Sequence, residues 1–66
     1  MHEYLISTPE TLDIFFNYQR AFNSFLNLCV LQGVNIDADT MHQLNEGKRF
    51  PIIAGNVVMN RKSFKS

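Results

Sequence analysis

Two short apolar runs, Phe50-Pro-Ile-Ile-Ala54 and Val57-Val-Met-Asn60, flank the dipeptide Gly55-Asn56. Glycine accepts the positive φ of a tight turn, so this spacing predicts a β-hairpin turning at 55–56. Pro51 has no backbone N–H and belongs at a strand start or on an edge. Just upstream, Asp37 or Asp39 can cap a short helix over 38–46, with Met41 and Leu44 pointing inward and Gly47 as its stop. Val34-Asn-Ile36 leads into that helix, anchored by Ile36. After the hairpin, Asn60-Arg-Lys-Ser63 reads as the cap and opening of another helical turn, with Phe64 folding back on the core.

The first half reads as helix. Ser7-Thr-Pro-Glu10 fits a capping box, and Thr8 followed by Pro9 is an equally good start. Leu12, Phe15, Phe16, Phe22, Phe25, Leu26, Cys29 and Val30 recur at three- and four-residue spacings, and Gly33 supplies the stop. One helix across this segment would run ~35 Å at 1.5 Å per residue, which is long for so small a domain. It therefore either breaks near 17–23 into two packed helices or stays whole and pairs with a second subunit. The Phe-rich stripe serves as core in the first case. In the second, Phe15, Phe22, Phe25 and Leu26 form a dimer face. Met1 to Ile6 is β-tolerant and fits an edge strand or an extended segment over the core. The expected fold class is α+β, mostly helical: a long or split N-terminal helix, a short second helix and a C-terminal hairpin, in a winged-helix-like order.

Sixty-six residues make a single small domain, 1–66. A chain of this size buries only ~60% of its unfolded surface, which makes self-association attractive. Cys29 is the lone cysteine, so no intrachain disulfide forms, and a reducing compartment fits. With His2 and His42 far apart, the chain lacks the four close ligands of a zinc site. No metal or cofactor is expected. The N-terminus has neither the basic start nor the apolar run of a secretory signal, and the dense apolar stretch 25–31 is too short to span a bilayer. The expectation is a cytoplasmic protein that does not engage membranes.

The net charge is zero, but the charges are segregated. Residues 1–47 carry six acids and one base, Arg20. Residues 48–66 carry five bases (Lys48, Arg49, Arg61, Lys62 and Lys65) and no acid. Either the two halves pair with each other, or the basic part has its own task. An enzyme has little support. No paired carboxylates, nucleophile–base pair or phosphate-cradling glycine loop is visible, and a thiol in an apolar context such as that of Cys29 is inert.

The stretch Ile36-Asp-Ala-Asp-Thr-Met-His-Gln-Leu-Asn-Glu-Gly-Lys-Arg-Phe-Pro-Ile-Ile53 resembles the winged-helix excisionase and Cox-type regulators of phages and mobile elements, including the AlpA-like ones. It is similar to their hydrophobic turn residue, short recognition helix and Gly-Lys-x-Pro step into a strand. Gly55 to Phe64 is similar to their wing and the Arg-containing turn after it. The first half departs from that pattern, with a long Phe-rich segment in place of a short helix and tight turn. The resemblance implies a small excisionase- or repressor-like transcription regulator that binds duplex DNA, bending or repressing it, and acts cooperatively. Lys48, Arg49, Arg61, Lys62 and Lys65 would touch phosphates, while Thr40, His42 and Gln43 would face the major groove. The competing class is a non-enzymatic interaction module, a homodimer or an inhibitor of a host protein, using the Phe-rich helix.

Overall fold

The computed structural model describes residues 1–63. In chain order the elements are β1 (His2–Ser7), β2 (Leu12–Phe15), α1 (Tyr18–Leu31), α2 (Ala38–Glu46), β3 (Ile52–Ala54) and β4 (Val57–Ser63). The strands form one antiparallel sheet in the order β2-β1-β4-β3. Two hairpins, one from each end of the chain, are joined through the β1–β4 pair.

Strand periodicity of two sorts the side chains. Tyr4, Ile6, Ile52, Ala54, Val57 and Met59 point to one face. There they meet Ala21, Phe25 and Cys29 of α1 and Leu44 of α2 in one buried cluster. Both helices thus lie on the same side of the sheet. Phe15, Tyr18, Phe22, Leu26, Val34, Ile36 and Met41 pack against the rim of that cluster. The Tyr18 hydroxyl donates to the Leu44 carbonyl at 2.6 Å and ties α1 to α2.

Several expectations hold. The helix over 38–46 is capped by Asp37, whose carboxylate accepts the Thr40 N–H at 2.7 Å. Gly47 ends it in the left-handed region at φ 64°, where a Cβ would also come within 3.0 Å of the Tyr18 ring. The second hairpin turns at Gly55-Asn56. A Cβ on Gly55 would stand 2.8 Å from Val34, so glycine is required there by space as well as by φ. Pro51 directly precedes β3, an edge strand.

The first half is corrected. Residues 12–15 are strand, not helix, and α1 begins only at Tyr18, capped by the Asn17 side chain, which accepts the Arg20 N–H at 3.2 Å. The apparent capping box is a hairpin turn. The Thr8 N–H donates to the Thr11 carbonyl at 2.9 Å, and the Thr8 hydroxyl accepts the N–H groups of Glu10 and Thr11 at 3.2 and 3.1 Å. A threonine hydroxyl receives the same i+2 and i+3 donors in a turn as at a helix start, so the local chemistry is shared. The N-terminal segment is an interior strand rather than an edge. The chain is not mostly helical: the helices take 14 and 9 residues, and the strands take 6, 4, 3 and 7. Residues 60–63 continue β4 instead of opening a helical turn, because Asn60 to Ser63 pair with Leu5 to His2. The expected fold-back of Phe64 lies outside the described residues.

Candidate binding surfaces

Three of the six basic residues, Lys48, Arg49 and Arg61, lie after α2 and late in β4. Gly47 releases the chain into Lys48 and Arg49, both exposed, before Phe50 returns to the core rim. Arg61 lies on the helix-facing side of β4, beyond the last buried residue, Met59. Its guanidinium donates to the Lys48 carbonyl at 3.5 Å and stacks 4.9 Å from the centre of the Phe50 ring. The expected approach of 48–49 to the end of the hairpin is therefore present. Among the described residues His42 Nε2 lies 3.4 Å from a Glu46 carboxylate oxygen. Lys62 points to the opposite face of the sheet and stands directly across from Glu3. Lys65 lies outside the described residues.

The proposed reading helix is less favourable. On α2, His42 is 75% exposed but is held to Glu46, while Thr40 and Gln43 are half-buried. Asp39 and Glu46 are exposed on the same helix. Hydrogen bonds from Thr40 hold the Asp37 carboxyl below its ordinary range and so favour its charged form. Thr40, His42 and Gln43 thus sit in an acidic neighbourhood that repels a phosphate backbone. Nor does the hairpin project as a wing. The Asn56 side-chain amide donates to Gln32 at 3.3 Å, the turn packs on Val34, and β4 is an interior strand. Arg61 lies about 17 Å back from that turn, at ~3.4 Å per residue.

A second surface lies on the side of the sheet that neither helix covers. Leu12 and Ile14 of β2, Leu5 of β1, Val58 of β4 and Ile53 of β3 point there. Leu12, Ile14 and Ile53 are 60%, 49% and 55% exposed. The sequence reading missed this face because it assigned Leu12 and Ile14 to a helix. The expected dimer residues lie elsewhere. Phe25 is fully buried within one chain and is unavailable to a partner, and Phe15, Phe22 and Leu26 are half-buried against the core. The reason is that α1 folds its aromatic stripe onto the sheet.

A shallow cleft of about 310 Å³ opens between β2 and α1, lined by Ile14, Phe15, Phe16, Asn17 and Arg20. It contains no acid and no nucleophile. Burial pushes the Cys29 thiol upward, and burial followed by the neighbouring Tyr4 does the same to Tyr18, so neither group is activated. Among the described residues no three His, Cys, Asp or Glu side chains are grouped to hold a metal, and no helix is long and apolar enough to cross a membrane. Comparison with protein-family models, curated proteins and solved structures finds no match for this chain.

Proposed function

We propose that this protein is a small DNA-binding regulator that grips the phosphate backbone with its basic end. The observation that supports this reading is that Arg61 of β4 reaches the Lys48 backbone carbonyl, which sets it beside the exposed Lys48-Arg49 step of the loop after α2. The arginine guanidinium suits phosphate oxygens, and such contacts fix position without reading bases. In this form the excisionase-like resemblance is narrowed. The acidic surroundings of Thr40, His42 and Gln43 leave α2 outside the groove, and sequence preference comes from duplex shape or from a partner.

The test is fluorescence anisotropy on a random duplex across salt concentrations. Three phosphate contacts predict a slope of log K against log salt near −3, at about −0.9 per contact. Replacing Lys48, Arg49 and Arg61 by Ala together weakens binding to every duplex and flattens that slope. Binding that survives this substitution unchanged, in a variant with wild-type circular dichroism, overturns the proposal.

A second reading, a non-enzymatic protein-interaction module, is favoured by the uncovered apolar face of the sheet. It does not use the Phe-rich helix, whose central ring is in the core.

A further inference from the structure

We infer that the open edge of β2 docks an extended segment of a partner protein, added antiparallel to the four-stranded sheet as a further strand, with an acidic residue two positions before a basic one. The inference uses none of Lys48, Arg49 and Arg61 and does not depend on DNA binding.

The ladder shows which backbone groups face outward. Residues opposite each other on antiparallel strands alternate between pairs that exchange both hydrogen bonds and pairs that exchange none. The Thr8 N–H donates to the Thr11 carbonyl, so the alternation starts from that pair. Along the register, Asp13 then bonds Ile6 and Phe15 bonds Tyr4, while Leu12 and Ile14 turn their N–H and C=O groups away from β1. β2 is the last strand on its side of the sheet, so those groups meet no other strand of the described chain. A donor and an acceptor repeated at every second residue are satisfied together by an extended backbone. The opposite edge suits this less. β3 has three residues, and Pro51 just ahead of it has no donor. β2, Leu12–Phe15, carries neither the proline nor the lysine that blunts an edge.

The side chains along β2 say what the segment carries. Asp13 and Phe15 stand opposite Ile6 and Tyr4, on the side of the sheet that the helices cover, and Asp13 is exposed. Beside Phe15 lies the cleft of about 310 Å³ between β2 and α1, lined by the exposed Arg20. An acid and then a base thus follow one another along the same side of this edge. A strand antiparallel to β2 meets them in reverse order. Its residue opposite Phe15 comes first and enters the cleft toward Arg20, and its residue opposite Asp13 comes two later. An acid at the first position and a base at the second each meet the opposite charge. The alternate residues fall beside Ile14 and Leu12, 49% and 60% exposed on the other side of the sheet, and are apolar. A parallel strand would need the base first. Every pair in the sheet is antiparallel, and antiparallel pairing is slightly more stable per residue, so the acid-first order is assigned.

The probe is the end-blocked, fluorescently labelled peptide Thr-Glu-Val-Lys-Ile-Thr, compared in anisotropy titrations with Thr-Lys-Val-Glu-Ile-Thr. So short a strand gives a weak complex, with Kd on the order of 10–100 µM for the acid-first peptide. The base-first peptide is expected to bind about tenfold more weakly. In the double variant Asp13→Lys/Arg20→Glu, altered at two exposed positions, that preference is expected to reverse. Ile14→Pro removes an edge donor that β1 does not use and is expected to bind neither peptide. The inference is overturned by no binding up to about 1 mM, by equal binding of the two peptides, or by a preference that the charge swap leaves unchanged. Binding that survives Ile14→Pro in a variant with wild-type circular dichroism overturns it too, and the charge swap decides alone where that variant does not fold. Sedimentation of the chain by itself covers the other occupant: a dimer that is lost in Ile14→Pro places a second copy on this edge and overturns the assignment to a partner segment.

Discussion

The Asp37 carboxylate receives the Thr40 N–H at 2.7 Å and so closes the exposed start of α2. That bond holds its proton affinity below the ordinary 3.8. A carboxyl depressed in the folded state stabilises the fold above its unfolded pKa and loses that contribution as pH falls through the lower, folded value. Asp37→Asn should therefore leave neutral stability nearly intact, because Asn also caps, while removing part of the loss of Tm below about pH 4. Thermal melts between about pH 2 and 7 check this; identical acid profiles for both proteins would contradict it. Phe25→Ala removes a fully buried ring at a cost of about 3–5 kcal/mol. That is comparable to the whole stability of a domain this size, at ~0.05–0.15 kcal/mol per residue, so the variant should be unfolded by circular dichroism. Phe16, 66% exposed, should be replaceable by Ala within about 0.5 kcal/mol in urea melts. The sequence marks both as apolar positions of one helical stripe. Which ring is core depends on where the helix begins, and that is decided at Asn17. The Asp37 cap, by contrast, was legible to within the choice of Asp37 or Asp39, because capping is local chemistry.

At the scale of elements, α2 and the second hairpin could be read because their signals are local and agree: cap, stop glycine, Gly-Asn turn. The segment 8–15 could not. Leu12, Phe15 and Phe16 satisfy a helical period, while Leu12, Asp13 and Ile14 alternate as in a strand before Phe15 breaks the pattern. The long-range pairing with β1 decides it, Ile6 meeting Asp13 and Tyr4 meeting Phe15. Native-state hydrogen exchange should show that decision. Amides of β1 and β4, each paired on both sides, should be the slowest in the molecule. In β2 and β3, the amides that face the open edges should exchange fastest. Slow exchange at every amide of 12–15, as in the interior of a helix, would contradict the strand assignment. The basic cluster was partly legible for the same reason as the hairpin: a turn at 55–56 brings its two ends together. Its separation from Lys62 was not, because a strand sends Arg61 and Lys62 to opposite faces.

At the scale of the whole molecule, both helices cover one face of the sheet, the other face exposes Leu12, Ile14 and Ile53, and Arg61 stands beside the Lys48-Arg49 step. The proposed phosphate contact is made by Lys48, Arg49 and Arg61. The acids of α2 would remain off the contact. The proposal is thus that the basic end, and not α2, meets DNA. Amide chemical-shift mapping during titration with a random duplex at low salt tests it most directly. Salt-reversible shifts concentrated at 47–50 and 60–62 are expected, with α2 residues 38–43 unmoved. Shifts led by Thr40, His42 and Gln43, or no shifts at all at low salt, would contradict it.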